Sequence, residues 1–141
     1  MSIFRLMYIS SGRRKFDAGE LQEILAVSRK NNAEIDVTGM LLYLDGNFLQ
    51  VLEGKRDDVE ALYARILLDR RHRGAITLSG VEVEDRLFPD WAMGLKTVAP
   101  GEEAQIEGLF RLSPDTLKEK IANAREPLTE KLVETFLRVN A

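Results

Sequence analysis

The stretch Asp36–Gly54, DVTGMLLYLDGNFLQVLEG, leaves a chain of this kind few ways to fold. Two apolar runs, Val37–Leu44 and Phe48–Glu53, flank Asp45-Gly46, and Asp-Gly between hydrophobic runs is a strong signal for a two-residue hairpin turn. The runs are apolar at nearly every position, which predicts central strands with both faces covered. Gln50 sits inside the second run. Side chains alternate along a strand, so Phe48, Gln50 and Leu52 share one face while Leu49, Val51 and Glu53 share the other. A buried amide without partners costs about 1–3 kcal/mol. Gln50 therefore calls for polar protein neighbours, a water, or a bound ligand with donors and acceptors of its own.

The segments around the hairpin supply the remaining elements. Ile3–Ser10 reads as a strand with Phe4, Leu6 and Tyr8 on one face and Ile3, Met7 and Ile9 on the other. Asp17, with Glu20 three residues on, can cap a helix whose stripe is Leu21, Ile24, Leu25 and Ser28. Asn31 and Asn32 continue that stripe toward its end. They are either site amides or residues favoured near helix ends for tolerating the left-handed conformation. A second helix is expected over Arg56–Arg70, with Asp57 and Asp58 at its positive end. Its buried stripe is Val59, Leu62, Tyr63, Ile66 and Leu67, and Asp69 lies close to it. The cations Arg70–Arg73 suit a helix C-terminus, and His72, the only histidine, has no evident triad or metal companions. Ala75–Glu84 reads as a strand and Trp91–Thr97 as a fifth. Beyond Pro100 three helices are expected: a short one over Gln105–Phe110, one opened by Ser113-Pro114, and one over Pro127–Val139.

The order β-α-β-β-α-β with an added strand matches the ferredoxin-like split βαβ arrangement, an α+β fold with both helices on one sheet face. Ile3, Met7, Ile9, Leu49 and Val51 would leave the opposite face apolar, to be covered by the C-terminal helices or by a second subunit. The first and third strands are neighbours, so Tyr8 and Gln50 share the helix-side face near Asn31, Asn32 and Asp69. Polar groups converging on an apolar cleft suit a planar ligand edged with heteroatoms. Neither GxGxxG nor GxxxxGK[ST] occurs, so a nucleotide cofactor would be gripped by its ring.

Composition narrows the classes further. The 141 residues suit one domain with a short extension, at 45% hydrophobic and 30% charged content. A net charge of −3 gives no electrostatic case for nucleic acid or an anionic membrane. With no cysteine, thiol chemistry and cysteine-based zinc sites are excluded. No metal site is expected, and the absence of a leader or a long apolar segment makes the cytoplasm the expected compartment.

Taken in order, Tyr8, Asn31-Asn32, TGMLLYLDGNFLQVLEG, DRRH at Asp69–His72 and the Phe88, Trp91, Met93 pattern resemble the BLUF family of blue-light sensors that use flavin adenine dinucleotide, over about Ile3–Thr97. The resemblance implies a non-enzymatic photoreceptor over residues 1–98, with 99–141 a helical cap or interaction extension. It implies non-covalent FAD, with FMN or riboflavin as possible substitutes. Tyr8 would be the photochemical electron donor and Gln50 the amide bridging it to the ring. Asn32 and Asn31 would bond the polar ring edge, and Asp69 and Arg71 would approach the ribityl chain and the pyrimidine side. Ile24, Ser28, Phe48 and Ile66 would wall the ring, and Met93 would approach it. Trp91 and Met93 would relay the signal through the fifth strand and C-terminal helices to a partner protein, in a homo-oligomer. The alternative is a light-insensitive ferredoxin-like module binding a small ligand, which would purify colourless.

Overall fold

The computed structural model describes residues 2–12, 18–44, 46–95, 109–111, 131, 132, 134–136 and 138; for Ile24, Ser28 and Met93 it describes the backbone only. The elements run β1 (Ile3–Gly12), α1 (Ala18–Glu34), β2 (Thr38–Leu44), β3 (Asn47–Gly54), α2 (Arg56–Leu67), β4 (His72–Val83), β5 (Ala92–Leu95) and β6 (Leu109–Arg111). The described strands form one sheet of order β4-β1-β3-β2-β5-β6. Its first four strands are antiparallel neighbours in the ferredoxin-like arrangement, and β5 and β6 add to it in parallel.

The hairpin forms as its sequence predicts. Leu44 pairs with Asn47, and Gly46 has φ 84°, a left-handed conformation that glycine adopts without a Cβ clash. On β2, Gly39 is required for a different reason. A Cβ there would lie 1.8 Å from the Val51 carbonyl oxygen, so only glycine lets the two strands approach this closely.

The two sheet faces carry separate cores. Phe4, Leu6, Tyr8, Val37 and Leu52 pack with Val59 and Leu62 of α2 on the helix side. On the other side Met7, Leu49, Val51 and the β2 residues Met40, Leu42 and Leu44 surround Phe88. Phe136, with Leu132 beside it, covers that second face from a helical segment within 131–138. Of the apolar face expected from Ile3, Met7, Ile9, Leu49 and Val51, the part around Met7, Leu49 and Val51 is packed against Phe136 and Leu132.

Three expectations change. Leu109 and Phe110 of the expected Gln105–Phe110 helix lie instead in strand β6, where parallel pairing with β5 satisfies backbone groups. The rest of that segment and the helix expected from Ser113 lie outside the described residues. Helix α2 ends at Leu67 and not at Arg70, and Leu67, expected in the buried stripe, is 49% exposed. Finally, β4 begins at His72 and not at Ala75.

A network missed in the sequence holds the connection into β5. Glu53 is 0% exposed and accepts from Arg5 Nε at 2.8 Å, the Leu87 backbone N–H at 2.9 Å and the Phe88 N–H at 2.6 Å. Its burial is sustainable because donors surround both oxygens. Arg86 adds donations to the Glu53 carbonyl at 3.0 Å, Thr38 Oγ1 at 2.7 Å and the Asp36 carbonyl at 2.7 Å.

Candidate functional site

The end of α1 shows which residue takes the left-handed cap position. Asp36 has φ 54°; its N–H reaches the Ala33 carbonyl at 3.3 Å, and the Val37 N–H reaches the Asn32 carbonyl at 2.9 Å. These are the two bonds of a Schellman cap, with Asp36 as its left-handed residue. Neither Asn31 nor Asn32 fills that role, since both lie within the helix. Asn32 is 3% exposed and its Oδ1 is buried with no hydrogen-bond partner. Asn31 is half-buried beside it in sequence.

Tyr8 and Gln50 are direct partners across β1 and β3, and both are buried. The Tyr8 hydroxyl donates to Gln50 Oε1. That assignment leaves the Gln50 amide nitrogen as the group able to donate elsewhere. The cross-strand row runs further: Thr77 pairs with Tyr8, Gln50 with Leu41, Leu41 with Met93, and Met93 with Leu109. Met93 is therefore placed, by register, one strand beyond Gln50's partner. Trp91 precedes β5, half-buried, with its Nε1 buried and unpartnered.

Burial, with smaller contributions from Tyr63 and Asp69, raises the Tyr8 phenol above the usual tyrosine range. Tyr8 is thus a neutral phenol at any ordinary pH. The Arg71 guanidinium holds the Asp69 carboxyl below its usual range, with Arg71 Nε 2.9 Å from Asp69 Oδ1 and the Arg71 backbone N–H also donating to it. Asp69 and Arg71 are thus paired with each other at the exposed end of the site.

The other predicted wall residues divide. Phe48 is buried, its ring centroid 4.7 Å from that of Tyr43, and Ile66 packs partly buried against the helix-side core. The side chains of Ile24, Ser28 and Met93 lie outside the described residues.

Two residues without a predicted site role also come close. The His72 ring centroid is 6.5 Å from that of Tyr8; its Nε2 lies 2.7 Å from the Ile66 carbonyl, and its Nδ1 is buried without a partner. The Tyr63 ring lies 4.9 Å from that of Tyr8. Tyr63 was legible only as an apolar-stripe residue. His72 lacked the neighbouring carboxylates or histidines that mark a chemical role.

The residues fit a flavin at the position that discriminates best. An orphaned buried acceptor, Asn32 Oδ1, matches the N–H of a planar heterocycle, and unmatched it would cost about 1–3 kcal/mol.

A family model described as "Sensors of blue-light using FAD" matches residues 3–94. A photoactivated adenylate cyclase subunit beta from Euglena longa is 35% identical over 89 residues, 62% of this chain and 10% of that protein. The blue light- and temperature-regulated antirepressor BluF of Escherichia coli (strain K12) is 33% identical over 73 residues, 52% of this chain and 18% of that protein. The chain thus spans about a fifth or less of the length of these curated relatives. Among solved structures, the dark state of the BLUF protein BlrB superposes with a TM-score of 0.61 at 32% identity, over 65% of this chain and 70% of that one. The ground state of BlsA shares the fold, with a TM-score of 0.66 at 22% identity over 99% of this chain and 87% of that one. On the match to residues 3–94, the chain belongs to the BLUF family, sensors of blue light using FAD.

Proposed function

We propose that this protein is a blue-light switch in which Tyr8 and Gln50 are the working pair and the fifth strand carries the result to a partner. The observation that carries the reading is the Tyr8–Gln50 hydrogen bond, buried between central strands within the matched region. Asn32 and Asn31 would hold the polar edge of the FAD ring, Phe48 and Ile66 would wall it with Ile24 and Ser28, and Asp69 and Arg71 would meet the ribityl side. When bound, the flavin supplies absorption of blue light and an excited state that takes up an electron.

The chain's own part follows from Tyr8 and Gln50. Tyr8 is the electron source, and its phenolic proton leaves toward Gln50 Oε1, to which the hydroxyl already donates. Gln50 then ends in a rearranged amide whose donors and acceptors differ from the starting state. One changed hydrogen bond is worth about 0.5–1.5 kcal/mol, roughly a tenfold population shift. Useful switching needs amplification, and the row from Gln50 through Leu41 to Met93 offers a route into β5. Residues 1–98 form the sensor in this reading, and 99–141 carry its output to a separate protein or a second copy of the chain.

Absorption spectra of the purified protein before and after blue light test this directly. A bound flavin whose spectrum shifts to the red and recovers in the dark is expected. Tyr8→Phe and Gln50→Ala should each keep the flavin and lose the shift; an ordinary photocycle in either variant would refute the assigned roles.

A further inference from the structure

Tyr63 lies in contact with the working phenol. From α2 its ring packs against Tyr8 with centroids 4.9 Å apart and planes tilted by 36°. Its hydroxyl is 2.8 Å from Thr77 Oγ1, and Thr77 is the residue opposite Tyr8 on β4. The two phenols differ in where a proton can go. Tyr8 is buried and its hydroxyl is committed to Gln50 Oε1. Tyr63 is half-buried and its hydroxyl partner, Thr77, is exposed to water.

An oxidised phenol is a far stronger acid than a phenol, and a charge is stabilised where water can reach it. An electron hole shared between two touching tyrosines therefore settles on the one that can release its proton to solvent. We propose that Tyr63 is a second redox-active residue of this site, taking the hole from Tyr8 and holding it as a phenoxyl radical once its proton has left through Thr77. The proposal rests on the reading above, in which the photoexcited flavin is the oxidant that removes an electron from Tyr8.

The step balances within the chain. One electron passes from Tyr63 to the Tyr8 radical cation, which returns to a neutral phenol with its O–H toward Gln50 intact. The Tyr63 O–H bond breaks, its proton goes to Thr77 Oγ1, and the Thr77 hydroxyl proton passes to water. The products are Tyr8 phenol, Tyr63 phenoxyl and hydronium. The branch is open only in the interval before Tyr8 hands its own proton to Gln50. It therefore competes with the Gln50 rearrangement and diverts part of the excited protein from the signalling route.

The test is electron paramagnetic resonance on the full-length, flavin-loaded protein, freeze-trapped under blue light, with ring-deuterated tyrosine to assign the signal. Tyr63→Phe keeps the ring and removes only the hydroxyl. The wild-type protein should give a tyrosyl signal that is lost in both Tyr63→Phe and Tyr8→Phe, and the yield of the red-shifted form should rise in Tyr63→Phe. Thr77→Val, an exposed substitution, should shorten the radical's lifetime. A wild-type red shift with no tyrosyl signal, a signal that survives Tyr63→Phe, or an unchanged lifetime in Thr77→Val overturns this proposal and leaves the photoreceptor reading standing. Absence of both the red shift and the radical overturns the two together.

Discussion

The carboxylate of Glu53, on the central strand β3, accepts the backbone N–H of Phe88 at 2.6 Å from a connection 35 residues further along the chain. Leu87 donates to the same group, so one carboxylate ties β3 to the entry to β5. Gln50 lies three residues earlier on β3, with its side chain on the opposite sheet face. The strand bearing the proposed photochemical amide thus also anchors the start of the proposed output strand.

Glu53→Gln changes the charge and almost none of the volume. One carboxylate oxygen becomes an NH2 group that must face a donor, from Arg5 or from the Leu87–Phe88 backbone. Breaking a buried, fully paired ionic group costs about 3–5 kcal/mol. Denaturant unfolding should show a loss of that order. Native-state hydrogen exchange should show the amides of Leu87 and Phe88 losing protection before those of β1 and β3.

Asn32→Ala should separate binding from stability. Asn32 Oδ1 has no protein partner, so its removal deletes an unsatisfied group from the ligand-free fold. The ligand-free protein should lose little melting temperature. Flavin affinity should fall by about tenfold, the value of roughly one hydrogen bond with a buried partner left unmet. Titration of the ligand-free variant with FAD measures this, and an unchanged affinity would remove Asn32 from the ring edge.

Tyr8 should titrate above the ordinary tyrosine range. Burial raises its folded-state value above the unfolded one near 10. Its contribution to stability is therefore complete below about pH 10 and declines as pH rises from there toward the folded-state value. Ultraviolet difference titration of wild type and Tyr8→Phe should differ only at the most alkaline end, and wild-type stability should fall more steeply there than that of the variant.

Phe136→Ala should cost about 3–5 kcal/mol, as for other buried aromatics, because Phe136 is 7% exposed against Met7, Leu49 and Val51. Opening the second sheet face would also favour self-association. Thermal melts and light scattering give the two readouts.

Gly39→Ala should be among the most damaging single changes. The added Cβ would sit 1.8 Å from the Val51 carbonyl oxygen, which is backbone and cannot swing away. Separating β2 from β3 would cost about 3 kcal/mol or more and disturb the row through Gln50. A variant that expresses and binds flavin as wild type would contradict the pairing described here.

Alternation and turn chemistry are local, and they made the hairpin and the division of β1 and β3 into two faces readable from the amino-acid order. The shared face of Tyr8 and Gln50 followed once the order of elements had placed those strands side by side. The same patterns exposed an apolar second face in need of a cover, and Phe136 and Leu132 pack against it. What local pattern leaves open is the identity of a distant partner. Glu53 read as a carboxylate on the second face, and only folding brings it the donors of Arg5, Leu87 and Phe88. Whether Asn31 or Asn32 took the left-handed position at the helix end stayed open until folding gave it to Asp36. Strand β6 pairs over three residues with a strand distant in sequence, too short for periodicity to mark it. Tyr63 was one more apolar position on a helix until packing set its ring against Tyr8. Faces follow from the period of the backbone, whereas contacts between distant segments depend on how the whole chain closes, and here that closure sets the surroundings of the Tyr8–Gln50 pair.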